Sequence, residues 1–232
     1  MLVFACISPH PPLILPDVGS PADRQKVNST IKALESLAPK LEAAKPELII
    51  ISSPHPDWGI NVPAHFLLAN LKFSIYNFQS MSNFKFSNLN FNENFKLKIK
   101  NSTPVFPILT ELSSPQQHFE FGRQIIQQVP TKTRVGWIAS GDMSHRLTKD
   151  GPYGLHPSGP KFDKLFIELL KRKDIGQIIN LPERLVEEAG ECGLRSFCCL
   201  LGALEALRAS WSPEILSYEG PFGVGYLVAR LL

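Results

Sequence analysis

Two histidines are each locked between prolines at the end of a short apolar run. Leu2-Val3-Phe4-Ala5-Cys6-Ile7 leads into Ser8-Pro9-His10-Pro11-Pro12, and Leu48-Ile49-Ile50-Ile51 leads into Ser53-Pro54-His55-Pro56. Runs this short, β-branched or aliphatic throughout, predict buried strands. Proline cannot donate to a strand ladder and holds the residue before it extended, so each strand ends where its histidine begins. Both imidazoles then sit at a strand's C-terminal edge, the edge at which α/β sheets bind ligands. Two histidines held this way, from neighbouring strands, predict two ligands of one metal ion.

The chain has 232 residues, 44% of them hydrophobic, enough to bury a large core in one domain. A net charge of +3 without a Lys/Arg run argues against nucleic acid as a partner. No apolar stretch approaches a membrane span. Met1-Leu2-Val3-Phe4 enters a strand without a basic n-region, which predicts no signal peptide. Cys6, Cys192, Cys198 and Cys199 lack zinc-site spacing, and adjacent Cys198 and Cys199 on one helix cannot share a closed site. The expectation is a cytoplasmic protein with reduced thiols. A homo-oligomer is left open.

Ala22 to Ala44 has an apolar stripe at helical spacing: Val27, Ile31, Leu34, Leu37 and Leu41. The opening is thus β-loop-α-β, for which parallel pairing with a right-handed crossover is the default. Arg134 to Ala139 reads as a third strand and about Pro160 to Arg172 as a further helix. Pro182 to Ala209 reads as a helix broken near Gly190 and Gly193, with its second half, Leu194 to Leu207, apolar all round. Gly220 to Ala229 is a Gly-rich turn into a last buried strand. Alternating strands and helices predict an α/β fold. The segment 70–101 is atypical, crowded with Asn, Phe, Lys and Ser. Alternation at Phe84-Lys85-Phe86 and Phe95-Lys96-Leu97-Lys98-Ile99 predicts short, half-exposed hairpin strands. Basic–aromatic interleaving also suits stacking on single-stranded bases; a solvated flap with one apolar face is the simpler reading.

A third histidine follows the third strand, in Ser140-Gly141-Asp142-Met143-Ser144-His145. Asp142 and His145 are three residues apart, so one turn brings both side chains to one side. A histidine poised near neutral pH suits proton transfer, with the carboxylate fixing its tautomer. Alternatively, Asp142 or Ser144 caps the following turn. Carboxylates are concentrated in Glu187-Glu188-Ala189-Gly190-Glu191-Cys192-Gly193. Charges before a long apolar helix ordinarily complement its N-terminal dipole. Glu191, however, lies between two glycines, where backbone approaches a site closely. With His10 and His55 it would complete a two-His-one-carboxylate set, the arrangement of non-haem Fe(II) sites. Cys192 is the competing ligand, and a thiolate there favours softer chemistry such as zinc or copper binding.

These motifs, with Tyr218-Glu219-Gly220-Pro221-Phe222-Gly223-Val224-Gly225-Tyr226, occur in an order that resembles the LigB-like superfamily of class III extradiol ring-cleavage dioxygenases. The similarity is greatest to the branch found in the AmmeMemoRadiSam group, related to Memo-like proteins, and it spans nearly all of residues 1–232. It implies one three-layer α/β/α domain with a mostly parallel or mixed central sheet, and a ferrous-iron site. By this resemblance His10 and His55 match the two His ligands, His145 the acid/base and Glu191 the carboxylate ligand; a Cys near this point in Memo-like relatives keeps Cys192 open. One departure stands out. Relatives carry Asp-His-Gly-Thr before an apolar strand, whereas Lys100-Asn101-Ser102-Thr103-Pro104-Val105 puts Asn101 where that His would be. His65 and His118 could replace it only by folding in from elsewhere.

The resemblance therefore implies an Fe(II)-dependent oxygenase that cleaves the ring of a small catechol-type aromatic diol with O₂. His145 would accept a hydroxyl proton, assisted by Asp142. The alternative is a non-catalytic Memo-like metal-binding or accessory protein on the same scaffold, with the metal used for structure or partner recognition, or absent, since one fold serves both; zinc or copper is the alternative to Fe(II).

Overall fold

The runs richest in aliphatic residues form the middle of one sheet. The structure, a computed structural model, describes residues 1–75, 79–80 and 102–232. In chain order the strands are β1 (Leu2–Ser8), β2 (Leu48–Ser53), β3 (Phe73–Ile75), β4 (Gln79–Ser80), β5 (Thr103–Leu109), β6 (Val135–Ser140), β7 (Glu214–Glu219) and β8 (Tyr226–Arg230). They make an eight-stranded sheet of order β3-β5-β2-β6-β1-β8-β7, with β4 also pairing with β5. β1 to β6 run parallel, while β8 is antiparallel to β1 and β7 to β8, so the sheet is mixed. The anticipated hairpins at 84–86 and 95–99, and Asn101, lie outside the described residues.

The helices are α1 (Pro21–Lys26), α2 (Asn28–Ala43), α3 (Trp58–Leu67), α4 (Pro115–Gln128), α5 (Ser158–Lys171), α6 (Ile175–Ile179), α7 (Glu183–Ala189) and α8 (Leu194–Ala206). They cover both faces of the sheet. Ile31, Leu34 and Leu37 of α2 and Ile60 of α3 pack with Phe4, Ile49 and Ile51. On the opposite face Phe119 of α4, Phe162 and Phe166 of α5 and Phe197 of α8 pack with Leu48, Ile50 and Trp137. Successive β2 side chains thus enter opposite cores, as pleating requires, and a strand buried on both faces reads as a continuous apolar run. α4 and α8 touch backbone to backbone: a Cβ at Gly122 would fall 1.9 Å from the Cys199 carbonyl oxygen, and one at Gly202 2.0 Å from that of Phe119.

Two local expectations are corrected. β1 and β2 are parallel but not neighbours, because β6 lies between them and pairs with both. Every residue of β6 is buried, which suits it to this central position. The helix expected over 22–44 breaks at Val27, whose φ of −115° and ψ of 26° leave the helical region while its side chain is fully buried. The break anticipated near Gly190 and Gly193 is present, with Gly190 closing α7 in the left-handed conformation at φ 62°. Because β1, β2, β5 and β6 are parallel, the segments after them meet at one edge of the sheet.

Candidate metal centre

His10 follows β1 directly and is nearly enclosed, at 4% exposure. Its backbone N–H donates to Asp142 Oδ1 at 2.9 Å, and its Nδ1 pairs with Ser140 Oγ at 3.0 Å. Those bonds fix the ring and leave Nε2 facing Cys192 Sγ, 3.6 Å away. Burial, with His55 nearby, pushes the His10 imidazole down to about 3. The ring is therefore neutral at physiological pH, the form that binds metals, and a second-atom hydrogen bond such as that to Ser140 orients a ligating histidine.

His55 approaches from the end of β2. Its N–H donates to Ser53 Oγ at 3.2 Å. Gly59, in the first turn of α3, allows this tight bend, because a Cβ there would fall 1.8 Å from Ser53 Oγ. The His55 ring meets that of His10 edge-on, with centroids 5.2 Å apart and planes at 76°. His55 is exposed, so it marks the open side of the pocket.

Cys192 is the third group at this point. One nitrogen each of His10 and His55 and the sulfur of Cys192 all lie within 4.8 Å of one another. Cys192 is brought in by a backbone contact: Gly193 N–H donates to Asp142 O at 3.0 Å, and a Cβ at Gly141 would fall 2.2 Å from Gly193 Cα. Glu191, expected as the third ligand, does not join this group among the described residues. Its side chain is 1% exposed and turned to the helix start, where Oε2 accepts from Leu194 N at 2.5 Å and Oε1 lies 3.7 Å from Arg195. The carboxylate is thus occupied in capping α8, an exchange of orphan helix N–H groups for a side-chain acceptor. Burial, opposed by those partners, pushes its carboxyl up to about 7. Burial and the neighbouring Asp142 charge hold the Cys192 thiol well above its usual range.

Asp142 and His145 line the same pocket, and with Cys192 they form a second, overlapping group of donors within 4.8 Å. Asp142 is buried, and its carboxyl is pushed up to about 6 by burial despite the His10 N–H. Its hydrogen bond goes to the His10 backbone and not to the His145 ring. His145 is half-buried, its N–H bonded to Ala189 O, and its buried Nε2 has no partner. Burial holds the His145 imidazole below its ordinary value, against the pull of Asp142.

Two residues without an assigned role in the sequence hold this turn. Asp163 of α5 is 1% exposed; it accepts from Ser144 N at 2.8 Å and from Tyr218 OH at 2.5 Å. Asp163→Ala is expected to cost about 2–4 kcal/mol, because the buried Ser144 N–H and the part-buried Tyr218 hydroxyl both lose their acceptor. Burial pushes the Asp163 carboxyl up to about 6. An acid harder to ionise folded than unfolded favours folding at low pH, and that contribution is lost as pH rises from about 4 through about 6. Asp163→Asn cannot ionise, so its stability relative to the native chain should improve by up to about 3 kcal/mol between about pH 4 and pH 7. Urea midpoints at the two pH values check this; a difference that does not change with pH would refute it.

The other candidate histidines stand apart from the donor cluster. His118 is fully buried at the start of α4, its Nδ1 donating to Ser114 O at 2.9 Å and its Nε2 accepting from Glu111 N at 3.2 Å. Both ring nitrogens are spent on holding the loop after β5. His65 is exposed in the last turn of α3.

Among the described residues no helix is long and apolar enough to cross a membrane. The chain is similar over 96% of its length, at 32% identity, to Protein CA_C1420 of Clostridium acetobutylicum, and it spans 56% of that protein's length. Its fold is similar to that of uncharacterized protein JW3007 of Escherichia coli K12, with a TM-score of 0.54 over 99% of this chain and 100% of that one, at 12% identity. The profile of the catalytic LigB subunit of aromatic ring-opening dioxygenase matches residues 95–229, which include Asp142, His145, Glu191 and Cys192. With more than half of its residues matched, the chain belongs to the LigB family of aromatic ring-opening dioxygenases.

Proposed function

We propose that the chain binds one transition-metal ion through His10, His55 and Cys192. The observation that carries this reading is the convergence of three donor atoms within 4.8 Å from three separate segments. A neutral His10, tied at Nδ1 to Ser140 and with Nε2 turned to Cys192 Sγ, supports it further. Two imidazoles and a thiol make a softer set than two imidazoles and a carboxylate, and softness favours zinc, copper or thiolate-bound iron. A thiolate beside an ion that activates O₂ is also open to oxidation. The donor set thus favours metal binding in an accessory role. When bound, the ion would supply Lewis-acid or redox chemistry at the side marked by exposed His55.

A second reading, Fe(II)-dependent ring opening of a small catechol-type diol with O₂, rests on His145. Its buried, unpartnered Nε2 is free to take a proton from a substrate hydroxyl. Burial keeps this imidazole unprotonated near neutral pH, ready to accept. Free cysteines at all four positions fit a reducing compartment such as the cytoplasm.

Anaerobic purification, elemental analysis and titration with Fe(II), Zn(II) and Cu(I) test the metal proposal. One ion per chain, lost in His10→Ala, supports it; no ion taken up from any of the three ends it. A panel of catechols under O₂, followed for yellow ring-fission products, tests the second reading. There His145→Ala is expected to keep the metal and to lose about 10²- to 10⁴-fold in rate. Loss of the metal in that variant would make His145 a ligand instead.

A further inference from the structure

The His145 ring has no hydrogen bond to orient it among the described residues. Its Nε2 is buried without a partner, and Asp142 is turned to the His10 backbone. An imidazole that handles protons is ordinarily oriented by a hydrogen bond at one of its nitrogens. Here its neighbour is an aromatic ring. Tyr153 lies with its centroid 5.2 Å from that of His145 and its plane tilted by 32°, within the separation at which flat rings attract.

Tyr153 is 62% exposed, so burial in a core does not explain its place. It is carried by a strap over 147–155, closed at its base by an antiparallel bridge between Leu147 and Leu155 and by His156 N–H to Arg146 O at 3.1 Å. Gly154, immediately after the tyrosine, turns the chain back with a φ of 70° and has open space around it. Only glycine adopts that conformation without strain. The strap is docked on the Gly-rich turn before β8: Leu147 N–H donates to Gly223 O at 3.0 Å, and a Cβ at Gly151 would fall 3.0 Å from Gly223 Cα. An exposed aromatic on an anchored strap, set against a pocket imidazole whose buried Nε2 lacks a hydrogen bond, needs a role.

We propose that Tyr153 is a positioning residue: its ring face holds the His145 imidazole so that Nε2 stays turned into the pocket. The proposal rests on reading His145 as the proton-handling group, but the contact can be tested without turnover or metal. The full chain, metal-free and labelled with ¹³C at histidine, is compared with Tyr153→Phe, Tyr153→Ala and Tyr153→Leu. Tyr153→Phe keeps the ring face and is expected to preserve the His145 ring-proton shifts and the rate of carbethoxylation by diethyl pyrocarbonate. Tyr153→Ala and Tyr153→Leu are expected to lose the ring-current shift and to react about 2- to 10-fold faster, the population change that one ring–ring contact supports. Because Tyr153 is exposed, all three should fold, which urea midpoints check. Unchanged shifts and rates in the Ala and Leu variants would overturn the proposal, and so would a Phe variant that behaves like Ala. Failure of the wild-type chain to bind metal would sink the metal reading and leave this measurement intact.

Discussion

Cys192→Ser is expected to strip the chain of bound metal, whereas Glu191→Gln leaves the metal in place. The Cys192 sulfur lies 3.6 Å from His10 Nε2 and within 4.8 Å of His55, while the Glu191 carboxylate is engaged by Leu194 N and Arg195. A serine hydroxyl is a shorter, harder and far weaker donor at neutral pH. Affinity should fall by more than about 100-fold, beyond what removal of an outer partner of a ligand usually costs. Glutamine at 191 keeps one acceptor for the Leu194 N–H but gives up the charge beside Arg195. Its cost should be stability, about 1 kcal/mol for a weakened helix cap, with metal affinity close to native. Equilibrium dialysis with Co(II) reads both effects, because a sulfur ligand adds a near-ultraviolet charge-transfer band. The reverse outcome, metal lost in the Gln variant and retained in the Ser variant, would reinstate the carboxylate as ligand and with it the oxygenase reading.

Gly141→Ala should loosen the site without touching any ligand. The added Cβ would fall 2.2 Å from Gly193 Cα and 3.2 Å from Gly193 N. Both are backbone atoms, so no side chain can swing aside. Ordinary carbon contacts are about 3.5–4.0 Å, so the strand end and the start of α8 must part by more than about 1 Å. That displacement lengthens the Gly193 N–H to Asp142 O bond and carries Cys192 away from His10. The expected cost is about 2–3 kcal/mol of stability, as for other overpacked positions, with metal affinity lower by about 10- to 100-fold. Gly141 is not among the glycines with positive φ, so the cost is contact and not backbone strain. Gly176→Ala serves as the control, since the nearest atom there is Asp174 Oδ1 at 3.9 Å. Stability lost with affinity unchanged would show that this contact does not set the position of Cys192.

The strand ends that carry His10, His55 and His145 were legible because proline or a Gly-Asp turn halts each apolar run. Strand order was not, because the sequence of a parallel strand records that both its faces are buried but not which strand lies beside it. Nothing in Arg134 to Ala139 says that this run enters between β1 and β2. The spacing Gly190-Glu191-Cys192-Gly193 marked a close approach, yet neighbouring side chains in a turn point different ways, and the pattern alone could not say which one faces the histidines. The clue lay on the other side: Glu191 stands just before the first turn of α8, where a carboxylate can accept an unpaired helix N–H. Tyr153 gave no signal of its own, since its meeting with His145 depends on how the strap folds back.

The insertion of β6 between β1 and β2 also sets a timetable for the chain on the ribosome. Synthesis delivers His10 and His55 on two strands that cannot take their final spacing until Val135–Ser140 has emerged to fill the gap. Cys192 follows later still, with the helix that seats on Asp142. Until then a nascent chain carries both histidines but no closed site. On the proposed metal reading, ion capture would be coupled to completion of a sheet whose pairings are distant in sequence and correspondingly slow to form.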